Sequence, residues 1–373
     1  MPAMSNLRVG WKRYGPYIHD LDSRGRSPRL RLRSPRTISG IIFHLSVVGA
    51  GCGTVTVSEE CGADQRPCWE HLGPDDRRVD AIVETPAGIF AGTRNGVYRF
   101  AGDSWIPSGL SGQLVAALAF SETNRSLIAG VRPVADETTA AALFVTGDDG
   151  ASWTPSDGGM AAMNDHRFWA YSVAVDPADH NHIIWGSSAS LLASYDGGES
   201  WEFVHGSITR SGQGVNDVFI PPQGALWIAG TGAFGTGYAQ RSDDRGRTWE
   251  LLLPFGEGEL PAYSIIGDPI DNVWIGMRGG IAETRNGGST WEVVLKRAGY
   301  IKGMAIVDAT VYAVSSISSS AGSAMRLFRL DRDANRWNSV SVPSSSGGIA
   351  LVAGRDGSLL IGTENSGVWR FWP

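Results

Sequence analysis

From about residue 79 to the C-terminus, short apolar runs alternate with clusters of Gly, Pro, Asn, Asp and Ser. "YSVAVDP" (171–177), "NDVFIPP" (216–222) and "YSIIGDP" (263–269) are examples of one kind of run. A second kind ends in Gly: "IFAGT" at Gly92, "LIAGV" at Gly130, "IIWGS" at Gly186, "WIAGT" at Gly230, "VWIGM" at Gly276 and "LLIGT" at Gly362. Val314 takes the Gly place in "VYAVS". Runs this short, bounded by turn residues, read as strands rather than helices.

The polar positions between the runs also repeat. "TGDDGASW" (146–153), "SYDGGESW" (194–201), "SDDRGRTW" (242–249) and "TRNGGSTW" (284–291) align without gaps as Ser/Thr-x-Asp/Asn-x-Gly-x-Ser/Thr-Trp. Weaker echoes end at Trp105 and Trp337, and "CWEHLGP" carries Trp69. The pattern predicts a hairpin turn. Asp148, Asp196, Asp244 and Asn286 accept backbone N–H bonds as Asx turns do. Gly150, Gly198, Gly246 and Gly288 supply a positive φ. The Ser or Thr before each Trp adds a side-chain bond to the backbone. Trp153, Trp201, Trp249 and Trp291 then plug the space between neighbouring sheets. The motif is structural, and no catalysis is needed to explain it.

Each unit is therefore four short strands, A to D, with B ending in Gly and D starting at Trp. Four-stranded units of 40 to 50 residues are a propeller pattern. The chain ends in "LLIGTENSGVWRFWP", which leaves the last unit without a strand D. The stretch from Trp69 to Leu72 is expected to supply it, closing the ring and removing an open edge. The fold class is all-β: one seven-bladed propeller over 68–373, with four-stranded antiparallel blades, after a linker at 53–67.

Composition narrows the function classes. The chain has 373 residues and a formal net charge of −6, against the basic excess of a general nucleic-acid binder. No window of 18 uncharged apolar residues suggests a spanning helix. The N-terminus differs from the rest. Residues 1–36 are basic and end in "RSPRLRLRSPRT", and "ISGIIFHLSVVGAGC" (38–52) follows. Basic, apolar, then small is the order of a secretory signal. The small residues before Cys52 resemble a bacterial lipoprotein cleavage site, although Gly49 stands where Leu is usual. A cytosolic protein with a basic tail is the other reading. With Cys52 lipidated, Cys61 and Cys68 bracket a loop short enough for a local disulfide in an oxidising compartment.

The four aligned motifs resemble the Asp box, or BNR repeat, of sialidases, sortilin-type receptors, xyloglucan-cleaving glycosidases and photosystem II assembly factors. Seven blades behind an export signal are most similar to the photosystem II assembly-factor-like proteins. That resemblance implies a binding or assembly role at the cell envelope. A glycan-cleaving hydrolase is the alternative, although the Arg-Ile-Pro segment ahead of the first box in sialidases is missing here.

In such a fold the boxes mark one face, and the B–C and D–A loops build the other. Two residues beyond the B-strand position stand Arg94, Arg132, Ser188, Gly232, Arg278, Ser316 and Glu364. Arg94, Arg132 and Arg278 in one ring suggest a carboxylate or phosphate site. Trp169, Tyr171 and Tyr238 are further ligand-binding candidates, as aromatic residues on loops. Asp165, His166, Arg167, Phe234, Tyr263 and the pair Glu257 and Glu259 complete the loop inventory. The expected ligand is a protein or a glycan. A nucleic acid, a cofactor and a metal are not expected, membrane contact is expected only through Cys52, and the chain is expected to be a monomer.

Overall fold

A computed structural model describes residues 66–132, 141–158, 169–188, 190–204, 214–232, 235–252, 260–268, 272–319, 322–344 and 346–373. The chain divides into two units, Met1–Cys52 and Gly53–Pro373, and every described residue lies in the second. The expected leader, Cys52 and Cys61 lie outside the described residues. Cys68 is disulfide-bonded.

All the regular elements among the described residues are strands. One sheet holds β2 (Val79–Thr85), β3 (Gly88–Thr93), β4 (Gly96–Ala101) and β5 (Ser104–Pro107). The next holds β6 (Leu114–Ser121), β7 (Ser126–Arg132), β8 (Leu143–Thr146) and β9 (Thr154–Pro155). Then come β10 (Ala170–Val175), β11 (Ile183–Ser187), β12 (Leu191–Ser194) and β13 (Glu202–Phe203). They are followed by β14 (Gly214–Phe219), β15 (Leu226–Thr231), β16 (Gly237–Ser242) and β17 (Glu250–Leu252). A six-stranded sheet runs through β18 (Ala262–Gly267), β19 (Val273–Thr284), β20 (Glu292–Val307), β21 (Thr310–Ser319), β22 (Gly322–Asp331) and β23 (Arg336–Val340). The last sheet is ordered β1-β26-β25-β24, with β24 (Gly348–Ala353), β25 (Leu359–Thr363), β26 (Val368–Trp372) and β1 (Cys68–Gly73). The N-terminal strand thus completes the C-terminal sheet: Trp69 pairs with Phe371 and His71 with Trp369.

The expected seven separate blades need correction: the described strands form six blades, five of four strands and one of six. The cause lies between Trp291 and Ile301. Elsewhere the link from an outer strand to the next inner strand carries Pro or a Gly/Ser-rich stretch, as in "PSGLSGQ" and "VPSSSGG". Here "WEVVLKRAGYI" has no Pro and stays extended. As a result Tyr300 pairs with Arg278 on one side and Ser316 on the other, fusing two sequence units into one sheet.

The four aligned turns share one bonding scheme. In the second, the Gly198 N–H donates to Ser194 Oγ at 2.7 Å, and the Ser200 N–H donates to Asp196 Oδ1 at 2.9 Å. Gly198 has φ 98°, which an L side chain resists. The Ser200 hydroxyl donates to the Asp196 carboxylate and not to the backbone, so the first Ser, not the second, carries that task. Asp148, Asp244 and Asn286 hold the corresponding bonds from Ser152, Thr248 and Thr290. The tryptophans reach the preceding sheet. Trp153 Nε1 donates to Ser108 O at 2.7 Å, and Trp201 Nε1 to Ser156 O at 2.6 Å. Trp105 reaches Leu72 O, and Trp69 reaches Ser341 O, so the same strut spans the closing sheet. Trp249 and Trp291 instead donate within their own turns, to Gly246 and Gly288.

The Gly at the end of each second strand has a packing cause. A Cβ on Gly92 would stand 2.8 Å from Val115 Cγ1 on the next sheet, and one on Gly362 would stand 3.0 Å from Val79 Cγ1 across the closure. Where Val314 replaces Gly, the facing residue is Gly348, and a Cβ there would collide with Val314. Small and large residues are exchanged while the gap stays filled.

Gly92→Val is expected to cost about 2–3 kcal/mol by overpacking, read by denaturant unfolding. Val314→Gly combined with Gly348→Val is expected to lose less than the sum of the two single changes, because the swap restores the fill. A second expectation concerns acid. The Ser200 hydroxyl and N–H, with Ser194, lower the Asp196 carboxyl from 3.8 to about 2. A lowered folded-state value stabilises above the unfolded value and loses that contribution as pH falls through the folded one. Asp196→Asn should therefore flatten the fall in Tm between about pH 4 and pH 2, followed by thermal unfolding across that range.

Candidate functional site at the channel mouth

Seven inner strands share one irregularity, near the start of each except β20, where it lies in the second half. The pairing register shifts between Val79 and Ala81, Val115 and Ala117, Ala170 and Ser172, and Val215 and Asp217. It shifts again between Ala262 and Ser264, Ile301 and Gly303, and Gly348 and Ala350. Each shift leaves one residue outside the ladder: Asp80, Ala116, Tyr171, Asn216, Tyr263, Lys302 and Ile349. Bulges of this kind re-aim a side chain. All seven of these residues line one open cavity of about 540 Å³, with Arg78, Arg132, Ser188, Gly214 and Thr231. A second cavity of about 300 Å³ shares the same seven residues and adds Ser172, Asp217, Ile265 and Gly303 further along the strands. The two form the mouth and barrel of a central channel.

The mouth carries opposed charges. Arg78 Nε donates to both carboxylate oxygens of Asp80, at 2.8 and 3.0 Å, so this pair is internally neutral. Lys302 Nζ stands 3.9 Å from Glu364 Oε1. Burial, then the neighbouring charge of Arg78, lowers the Lys302 ammonium below the usual lysine range. Burial works to raise Glu364, but the Ser323 and Ser316 hydroxyls and Lys302 outweigh it and hold the carboxyl low. Arg132 lies over the Tyr171 ring, 4.9 Å from its centroid, with a buried Nε that has no hydrogen-bond partner. Among the described residues it has no carboxylate within ion-pair distance.

Asp217 sits in the channel wall. It accepts the N–H of Ile265 and of Val218, each at 2.9 Å. It is half-buried and lines the narrower cavity, and burial raises the carboxyl to about 7 against the pull of the two N–H groups.

The other ring candidates fall elsewhere. Of Arg94, Arg132 and Arg278, only Arg132 lines the cavity. Arg94 is exposed on the turn between β3 and β4. Arg278 lies over Tyr300, 5.5 Å from the centroid, and Tyr300 in turn packs against Tyr263 at 5.9 Å. Glu364 reaches the mouth through Lys302. Trp169 is half-buried beside Ser188, whose N–H it accepts at 3.1 Å. Tyr238 is 5% exposed and its hydroxyl donates to Gly214 O at 3.2 Å, which makes it a strut between β16 and β14 rather than a loop aromatic. Asp165, His166, Arg167, Phe234, Glu257 and Glu259 lie outside the described residues.

Sequence reasoning missed Arg78, Asp80, Asn216 and Lys302. A signal existed. The inner strands open "VDA", "VAA", "AYS", "VND", "AYS", "IKG" and "GIA". The outer two positions are small or apolar except at Asp217, and the middle one varies freely.

No protein family profile matches the sequence, and no curated protein does. Solved structures do. The GH74 enzyme of Niastella koreensis superposes with a TM-score of 0.63 at 15% identity, covering 81% of this chain and 53% of that one. This chain therefore spans about half the length of that enzyme. YCF48 bound to D1 peptide superposes with a TM-score of 0.60 at 14% identity, covering 86% of this chain and 100% of the other. The BT4673 extracellular domain from B. thetaiotaomicron gives 0.60 at 12% identity, covering 80% of this chain and 39% of that one. At these identities the likeness is one of fold: an all-β propeller.

Asp217 generates a prediction. A raised folded-state value stabilises below the unfolded value and loses that contribution as pH rises through the folded one. The advantage of the wild type over Asp217→Asn should shrink by roughly 2 kcal/mol between pH 5 and pH 8, after allowance for channel water. Denaturant unfolding of both proteins at each pH reads it.

Proposed function

We propose that this chain is a non-enzymatic binding propeller whose ligand, a segment of a protein partner or a glycan, enters at the channel mouth. The observation that carries the reading is the bulge ring. Seven strands each break their ladder at the same level, and the freed positions differ in chemistry from strand to strand. A purely structural ring would be served by uniform small residues, as at Ala116. Tyr171, Tyr263 and Asn216 offer ring faces and amide bonding, the mixture that recognition surfaces favour. YCF48, which matches this chain along its full length, is bound to a peptide in its structure, and that supports the peptide form of the reading. Export remains part of the proposal, with Cys52 as the lipidated residue and Cys61 with Cys68 as the disulfide.

One observation favours a glycan-cleaving hydrolase as the second reading. Asp217 is a carboxyl raised to about 7 in the channel that also holds the Asp80 carboxyl, gripped by Arg78. Glycoside hydrolysis requires a general acid and a second carboxyl group.

Peptide and glycan arrays probed with the purified chain test both readings. Under the binding reading, Tyr171→Ala and Tyr263→Ala each weaken the selected ligand about tenfold, in line with loss of a buried aromatic contact of 1–2 kcal/mol. The glycan hits stay intact on long incubation. Cleavage that Asp217→Asn abolishes would establish the hydrolase instead, and ligands unaffected by both Tyr variants would move the site off the mouth.

A further inference from the structure

The charges at the mouth do not cancel, and the excess is positive in a chain whose formal net charge is −6. Asp80 is satisfied by the Arg78 fork, and Glu364 by the Ser316 hydroxyl at 3.0 Å with Lys302 further off. Both carboxylates are thus committed. Arg132 is not. Its guanidinium is stacked on Tyr171 and its Nε is buried without a partner. Stacking fixes the plane of a guanidinium and leaves its edge donors for a ligand. A buried donor without a partner is costly unless something pairs with it. Ser188 and Thr231 also line the mouth, whereas the Asn216 amide spends its two N–H groups on Thr231 Oγ1 at 2.8 Å and Ala262 O at 2.6 Å and adds no donor there.

From these observations we infer that the channel mouth is an oxyanion site, holding a carboxylate or phosphate group on Arg132 with Lys302 as the second cation. This rests on the reading of the mouth as the ligand site and adds the chemistry of the group that enters it. The two arginines expected to join Arg132 on sequence grounds take no part. Arg94 is exposed on a turn and Arg278 is stacked on Tyr300 outside the cavity. The second cation comes instead from Lys302, placed at the mouth by the bulge in β20. A fork that binds two oxygens at once and a point charge that binds one suit a compact group with two or three equivalent oxygens.

The test uses the purified chain with inorganic phosphate and with succinate, each titrated calorimetrically at constant ionic strength against sodium chloride. Both anions are expected to bind with saturation that chloride does not reproduce, and each to displace the other. Arg132→Gln should weaken both about tenfold and Lys302→Met severalfold, while Arg336→Gln, on the exposed outer strand β23, leaves them unchanged. Arg132→Lys, which keeps the charge and loses the fork, replaces Arg132→Gln if that variant does not fold, and is expected to weaken succinate at least threefold. Phosphate alone binding at Arg132 identifies a phosphate site, and succinate alone a carboxylate site; both support the inference. No saturable binding, or binding unchanged in Arg132→Gln, overturns it. The two proposals fail separately. A peptide or glycan lost in Tyr171→Ala but indifferent to phosphate and succinate, neither of which binds, leaves the mouth as ligand site without an oxyanion role. Arg132-dependent phosphate binding that no peptide or glycan displaces keeps the oxyanion site and removes the macromolecular ligand.

Discussion

Everything in this molecule depends on the antiparallel pairing of β1 with β26. Each blade keeps a short outer edge strand, and β1 fills that place for the last sheet, covering the N–H and C=O groups of β26 and joining the two ends of the chain in one ladder. Here the strand that closes the ring comes from the other terminus. Trp69 packs on Phe371, with ring centroids 4.5 Å apart, and donates its indole N–H to Ser341 on the preceding sheet. His71 stacks on Trp369 at 4.4 Å. One strand is therefore held by the ladder, by aromatic packing and by a strut to its neighbour. Cys68 adds a covalent tether at the start of the same strand.

Closure sets the spacing between all the other sheets. That is why the small residue at the end of each second strand tolerates so little. At Gly92 and Gly362 the neighbouring Val occupies the space a Cβ would need, and at Gly348 the roles are reversed against Val314. The same tight approach brings seven inner strands around a channel narrow enough to enclose Asp217. Packing at the wall and the chemistry of the channel are thus one constraint seen from two sides. If the sheets stood further apart, Asp217 would meet bulk water and Arg132 would have solvent for its Nε.

The sequence displayed the parts of this structure that repeat. The turn motif was readable because Asp196, Gly198 and Trp201 recur at fixed spacing, and the closing strand because the last unit lacked its fourth. The fused sheet was harder to see. It depends on the absence of Pro and Gly/Ser padding between Trp291 and Ile301, and a missing spacer makes no motif. The channel mouth was harder still. Its residues were sought at the ends of the second strands and on loops; of the first set only Arg132 and Ser188 line the cavity, and of the second Tyr171 and Tyr263. The side chains that do line it are individual by nature: Asp80, Tyr171, Asn216 and Lys302 have nothing in common except a bulge, and a bulge is a matter of hydrogen-bond register that composition does not record. Tyr238 failed for a related reason. Its neighbours "TGAFGTGY" read as loop, while β16 begins at Gly237 and buries the ring.

Two kinds of irregularity in this fold have opposite consequences. Seven of the register shifts occur at one level, one in each inner strand, so they accumulate at a single place and give the channel mouth a chemistry that regular pleats could not. The fusion of β18 to β23 occurs once and removes a boundary without adding a side chain to the cavity: β20 still bulges at Lys302 as an isolated inner strand would. Blade count and mouth chemistry are therefore independent properties of this chain. A propeller can lose a boundary between two units and keep its ring of inner strands, because the ring is fixed by closure and by packing between inner strands, while the boundary is fixed only by the link that runs outside them.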